Sequence, residues 1–211
     1  MSFQSNFVAL TGHAKPLAWQ ARLHESLLKG DVPAALDLPT GLGKTSVMAV
    51  WLLALATQAQ GGDTPGLPRR LVYVVDRRAI VDQATAEAEK LQQALDNKPG
   101  LDWMRKAFGL EEGSSLPVST LRGKLADNRA WLAAPALPAI IVGTVDMIGS
   151  RLLFSGYGVS RGMRPVHAAM LAVDTLFVLD ESHLVPPFER LLEKIAAGDG
   201  GLGRKRGSSV R

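Results

Sequence analysis

The sequence predicts an α/β fold, a mostly parallel sheet with helices on both faces. Three observations carry that prediction. Helical and extended patterns alternate along the 211 residues. The extended stretches at 70–75 (RLVYVV), 139–145 (AIIVGTV) and 176–179 (LFVL) are continuously apolar rather than alternating, which marks strands covered on both faces. Helical segments separate them, as parallel pairing requires.

Each element has its own justification. Residues 16–29 start at a proline and stop before Gly30, which reads as a helix. Residues 34–38 form a short apolar strand, followed by a Gly-rich turn and a strongly helical stretch at 45–60. Two prolines and three glycines make 61–68 a loop. The strand at 70–75 leads into a helix at 77–95 with one polar side. Residues 97–138 carry Pro99, Gly100, Gly113, Pro117, Pro135 and Pro138 and are the least readable third, with short helical pieces around Trp103 and Trp131. The strand at 139–145 is followed by helices at 146–154 and 166–172. The strand at 176–179 precedes a last helix at 188–197. No internal repeat is visible. One domain over 1–200 and a disordered basic Gly/Ser tail at 201–211 are expected.

Composition narrows the function classes. With 46% hydrophobic and 21% charged residues the chain is globular. Lys and Arg number 24 against 20 Asp and Glu. Arg204, Lys205, Arg206 and Arg211 lie in the tail, so residues 1–200 balance at 20 bases and 20 acids, and the basic pI does not by itself argue for a nucleic-acid surface. There is no cysteine, which excludes disulfides, cysteine-ligated metal sites and cysteine nucleophiles. The N-terminus does not read as a secretory signal, and the apolar stretch 47–56 is too short to span a bilayer. A soluble, cytoplasmic protein is expected.

The strongest chemical signal is Leu38-Pro39-Thr40-Gly41-Leu42-Gly43-Lys44-Thr45, between an expected strand and a helix. That is the context of a phosphate-binding loop. Gly41 and Gly43 let backbone amides turn toward an anion, and the helix start adds its positive dipole end. Lys44 would reach the β- and γ-phosphates of a nucleotide, and the Thr45 hydroxyl would ligate Mg²⁺. The alternative is a Gly-rich turn with a solvated lysine; spacing and context favour the phosphate loop. Leu38 stands where the strict pattern has its first glycine, so the loop is a variant. The second signal is Leu176-Phe177-Val178-Leu179-Asp180-Glu181-Ser182-His183. Two acids at the end of an apolar strand fall on the carboxyl edge of the sheet, where ligands sit in such folds. Asp180 would hold Mg²⁺ through water, and Glu181 would orient or deprotonate an attacking water.

Taken together, PTGxGKT and the later LDExH resemble the first motor lobe of a superfamily 2 helicase of DEAD/DEAH type, a RecA-like ATPase lobe. More narrowly, the chain is similar to the CRISPR-associated helicase–nuclease of type I systems, of the subtype called G or U. Pro16-Leu17-Ala18-Trp19-Gln20 resembles that family's adenine-reading Q motif, with Gln20 as reader. Residues 71–78 with Asp82-Gln83 resemble motif Ia. Gly143-Thr144-Val145-Asp146 and the segments GSRLLF and GYG within 149–158 resemble its later motifs. The resemblance implies ATP and Mg²⁺ as cofactors. It also implies translocation on single-stranded DNA in defence against phage and plasmid DNA, alongside a CRISPR interference complex. It places Arg77, Arg78, Arg122, Gly123 and Thr144 against the DNA backbone, and His183 as the residue coupling the ATP site to later motifs. Pro39, Thr40, Gly41, Leu42, Gly43, Lys44 and Thr45 would form the nucleotide cradle.

The departures are as specific. Leu42 and Ser182 replace the usual Ser and Ala. No Ser-Ala-Thr motif, second motor lobe or His-Asp nuclease dipeptide follows Asp180. In the resembled fold the Ser-Ala-Thr strand lies between the phosphate-loop strand and the DExH strand, so the sheet is expected to be incomplete unless Ser208-Ser209 fills that place. The chain therefore reads as one lobe of a longer or split protein, weak or inactive as an ATPase alone. Two other readings stay open: a non-catalytic nucleotide- or partner-binding half of a split motor, and a restriction-type DNA translocase lobe. His13, His24 and His167 lack ligand spacing and read as surface or core residues, and Trp19 and Trp51 read as core.

Overall fold

The computed structural model describes residues 2–39, 41–61, 66–122, 129–197 and the backbone of 208–210. Among the described residues, five strands form one sheet: β1 (Arg70–Val75), β2 (Val118–Leu121), β3 (Ala139–Thr144), β4 (Thr175–Leu179) and β5 (Ser208–Val210). Their order is β2-β3-β1-β4-β5, and every pairing is parallel. The central strand β1 sets Tyr73 beside Val142 on one side and Val178 on the other.

Because side chains alternate across a strand, the continuous apolar runs supply two cores at once. Leu71, Tyr73 and Val75 join Ile140, Val142, Leu176 and Val178 on one face; Val72 and Val74 join Ile141, Phe177 and Leu179 on the other. The first face is covered by α1 (Phe3–Thr11), α2 (Ala18–Leu28), α3 (Val47–Gln60), α4 (Arg78–Asn97) and α5 (Asp102–Ala107). The second is covered by α6 (Ala130–Ala133), α7 (Val145–Leu152), α8 (Arg164–Ala172) and α9 (Pro186–Ala197). The expected α/β sheet with helices on both faces is therefore what the chain builds.

Helix α3 explains the longest apolar stretch of the sequence. Ten successive residues, from Val47 to Ala56, are buried, because α1, α2 and α5 pack over it on the sides the sheet leaves open. Trp51 is wholly buried and its indole N–H donates to the Pro68 carbonyl at 3.0 Å. The buried tryptophans Trp19 and Trp51 agree with their reading as core.

Where the strands begin, one buried guanidinium ties three of them together. Arg70, 5% exposed at the first position of β1, donates to the Pro135 carbonyl ahead of β3 at 3.0 Å and to the Val173 carbonyl ahead of β4 at 2.7 Å. Arg69 adds an ion pair to Asp174 at 2.6 Å. Burial pulls the Arg70 pKa down, and nearby Asp174 opposes that shift.

Two expectations need correction, and two elements go beyond those read from the sequence. Residues 34–38 are not a strand. Leu36 and Leu38 rest on the first core, but among the described residues the segment pairs with no strand. Apolar character makes a strand only where a neighbour completes the ladder. The tail is not wholly without structure: Ser208–Val210 pairs with Leu176–Val178 on the side of β4 away from β1. The rest of the expected tail at 201–211 lies outside the described residues. Finally, the unreadable third contains a whole strand, β2, and the N-terminus a whole helix, α1, capped by the Ser2 side chain.

Candidate functional site

Parallel strands all finish on the same edge of the sheet. Asp76 follows β1, Arg122 follows β2, Thr144 ends β3 and Asp180 follows β4. The segment carrying Gly41, Gly43 and Lys44 meets that edge beside β4. Gly41 has φ 84° and Gly43 φ 64°, a left-handed backbone that glycine adopts at little cost. A Cβ at Gly41 would meet nothing within 4 Å, so backbone conformation, not crowding, is what requires glycine there.

The central contact is between Lys44 and Glu181, 137 positions apart. The Lys44 ammonium donates to Glu181 Oε1 at 2.7 Å. The hydrogen bond from Lys44 is the main cause holding the Glu181 carboxyl below its ordinary pKa. His183 Nδ1 stands 3.6 Å from the other Glu181 oxygen. Glu181 itself has φ 52°, a strained setting for a residue with a side chain. Asp180 is fixed from behind: its amide donates to the Val74 carbonyl at 2.9 Å. Burial raises the Asp180 pKa, while a hydrogen bond from the Tyr73 hydroxyl partly offsets the shift. The Tyr73 phenol is pushed up by the same burial and by the nearby carboxylates.

These groups surround a cavity of about 440 Å³ lined by Leu36, Leu38, Lys44, Tyr73, Asp180 and Glu181, among others. A second cavity of about 380 Å³ lies against the other part of the loop, with Gly41, Leu42, Gly43, Thr45, Ser46 and Gln20 on its wall. The loop thus separates Lys44, Asp180, Glu181 and His183 on one side from Gln20, Thr45 and the glycines on the other. The sequence pattern put Thr45 with Asp180, whereas here they line different cavities.

Gln20 is committed to the protein. It is 3% exposed. Its Oε1 accepts from the Leu17 amide at 2.7 Å, and its Nε2 donates to Ser46 Oγ at 2.6 Å. Ser46 Oγ in turn donates to the Gly43 carbonyl at 2.6 Å. Trp19 Nε1 donates to the Leu42 carbonyl at 3.2 Å. The start of α2 therefore grips the loop through two carbonyls. Trp19 and Ser46 were missed as site residues, and so was Tyr73. Tyr73 had a legible signal, since a lone hydroxyl in a buried Leu/Val strand must find a polar partner.

The residues expected to face a nucleic-acid backbone fall into three groups. Arg77 and Arg78 are exposed, and Arg77 lies 3.4 Å from Asp76. Arg122 is held by Asp82 of α4 in an ion pair, beside a Thr85–Thr120 hydroxyl contact of 3.0 Å. Thr144 is buried, and its hydroxyl accepts from the Met147 amide as the N-cap of α7, so it is engaged within the protein. Thr40 and Gly123 lie outside the described residues. Pro39 and Leu42 are exposed at the loop. His24 is buried and stacks on Phe3, and burial lowers its pKa. His167 is buried edge-on to Trp131, and His13 is exposed. No helix of the described residues is long and apolar enough to cross a membrane.

Residues 13–196 match the family described as Type III restriction enzyme, res subunit. Among solved structures, the chain is similar to the DUF1998 helicase MrfA bound to DNA and AMPPNP. That match has a TM-score of 0.60 and 17% identity, over 98% of this chain and 25% of that one. The chain thus spans about a quarter of that helicase's length, and the likeness shows a RecA-like helicase-lobe fold. No curated protein matches.

Proposed function

The chain belongs to the Type III restriction enzyme res-subunit family, and from that premise we propose that it is the ATP-binding lobe of a DNA helicase or translocase. The observation that carries the reading is the Lys44–Glu181 contact, which brings the lysine of the glycine loop and the Asp180-Glu181 pair to one cavity at the carboxyl edge of the sheet. The donor set fits a magnesium nucleotide. Gly41 and Gly43 leave the backbone free to face phosphate oxygens, Lys44 supplies the cation, and Thr45 and Asp180, which line different cavities here, would supply oxygen ligands for the metal once the loop moves to bring them together. Mg²⁺, when bound, neutralises the charge that builds up on the phosphates. A phosphate that takes Lys44 leaves Glu181 free to accept a hydrogen bond from water. The buried Tyr73 and the Val74 carbonyl keep Asp180 in place while this happens. Gln20 reads adenine only by giving up Ser46 or Leu17, so base recognition is linked to the Gly43 carbonyl through one hydroxyl.

Arg77, Arg78 and Arg122 are proposed to meet the DNA backbone, Gly123 and Thr144 to flank that path, and His183 to couple the ATP site to later motifs. The second motor lobe and any nuclease would be supplied in cis or in trans, so the chain alone is expected to turn over far below the ~1–100 s⁻¹ of ordinary phosphoryl-transfer enzymes. The finer reading, CRISPR type I interference, rests on the sequence around Asp76-Arg77-Arg78 and on residues 149–158. The restriction-type translocase is the second reading, and the family match favours it. The neighbouring coding sequence separates them: a His-Asp nuclease supports the first, a methylase or a different nuclease the second. The test of the shared reading is a thermal melt with Mg-ATP. Ligand at about 100 times its Kd adds about 2.7 kcal/mol, or roughly 5–10 °C for a chain of this size. Stabilisation of the Lys44→Ala variant equal to that of the parent overturns the reading.

A further inference from the structure

Exposed apolar side chains are concentrated in one segment. Leu153, Phe154, Tyr157, Met163 and Val166 are all exposed, and among the described residues Phe154 (46%) and Tyr157 (60%) are the exposed aromatic rings. All but Val166, which lies in the first turn of α8, fall between α7 and α8, in a stretch with no acid from Met147 to Val173. That stretch also carries Arg161, exposed, and Arg164, half-buried.

The segment is built to hold this display. Phe154 has φ 58°, a costly conformation for a bulky residue. The Phe154 amide donates to the Arg151 carbonyl at 3.2 Å and the Ser155 amide to the Ser150 carbonyl at 2.7 Å, so the turn is closed by hydrogen bonds. Gly156 is packed so tightly on the buried stem of Arg151 that a Cβ there would lie 2.9 Å from both Arg151 Cγ and Val159 Cγ2. Arg151 is itself anchored to the Met147 carbonyl at 3.0 Å. The backbone between the two rings is thus packed against Arg151 and Val159, and both rings are exposed. A hydrophobic core would gain from burying them, and the fold leaves them out.

We propose that this loop is a stacking platform for the bases of single-stranded nucleic acid, with Phe154 and Tyr157 as the stacking rings and Arg161 and Arg164 drawing in the strand. The chemistry favours this occupant over an apolar protein face. Rings on a pinned backbone lose little entropy on stacking, any base can stack on them, and a segment that carries Arg161 and Arg164 and no acid of its own suits a polyanion. The inference rests on the DNA-lobe reading and extends it from backbone contacts to the bases.

Fluorescence anisotropy on the full chain tests it, with a labelled oligothymidylate and an abasic oligonucleotide of the same length. The parent protein should bind the oligothymidylate more tightly. Tyr157→Ala and Phe154→Ala should each weaken that binding roughly tenfold and leave abasic binding unchanged, which also reports that the variants are folded. Tyr157→Phe should keep the parent affinity, and Arg161→Ala should weaken both oligonucleotides alike. Equal affinity of the parent for the two oligonucleotides, or equal losses on both in the ring variants, overturns the platform and leaves the DNA-lobe reading standing. No binding of either oligonucleotide by the parent overturns both together.

Discussion

Replacing Glu181 by Gln separates the two tasks the Lys44 ammonium has. In the present arrangement Lys44 is paired with Glu181 at 2.7 Å, and the side chains are 27% and 32% exposed. Full-strength Coulomb attraction does not apply to a pair this open to water. Exposed and partly exposed pairs contribute about 0–1 kcal/mol, and the good geometry puts this one near the upper end. A phosphate that takes Lys44 must displace that carboxylate. Glu181→Gln removes the competing charge, so it should tighten binding of a non-hydrolysable ATP analogue by up to about fivefold, the equivalent of about 1 kcal/mol, while lowering any turnover. The pH dependence has a fixed sign. Lys44 depresses the Glu181 pKa from its ordinary 4.5. The stability it contributes is therefore complete above that value and is lost as pH falls through the lower folded value. The unfolding free energies of parent and variant from urea curves should differ at neutral pH by no more than about 1 kcal/mol, and the difference should vanish in acid. The assay is a fluorescence titration with the analogue and Mg²⁺, at matched ionic strength. Weaker binding in Glu181→Gln than in the parent refutes the competition argument.

Other perturbations read other parts of the molecule. Thr144→Ala should cost about 1 kcal/mol of stability through the lost cap of α7, with Thr144→Ser restoring it in urea unfolding. Gly143→Ala sets a Cβ 3.0 Å from two atoms of Ile148 and 3.1 Å from Leu121 Cβ, so about 1–3 kcal/mol should be lost by overpacking, visible as a lower Tm. Trp51→Phe keeps a ring in the core but leaves the Pro68 carbonyl without its donor; a loss of about 1–3 kcal/mol is expected from denaturant curves.

The legible parts of the fold were those whose signal is local. Strands β1, β3 and β4 announce themselves because burial on both faces leaves runs of consecutive apolar residues. β2 does not, because Ser119 and Thr120 interrupt it. Inside the structure these are satisfied: Ser119 Oγ accepts from the Trp131 amide at 3.2 Å, and Thr120 meets Thr85. Polar side chains that find partners only after folding make a buried strand look like a loop. Residues 34–38 show the converse, since whether an apolar stretch becomes a strand depends on a neighbour far away in the chain. At the site, Lys44, Asp180 and Glu181 could be picked out by motif and were brought together. What no motif reports is prior engagement. Gln20 holding Ser46, Asp82 holding Arg122 and Thr144 capping α7 are facts of geometry, and each changes what the residue must release before it can meet a ligand.

The Arg70 guanidinium has a mechanical consequence. It joins the approaches to β3 and β4 from the start of β1, at the rim opposite the glycine loop. A molecule bolted at one rim can flex only at the other. Rearrangement of the loop, of Glu181 and of the Asp82–Arg122 pair would then open and close like fingers on a fixed palm. Amide exchange should rise steadily from the first residues of the strands toward their last.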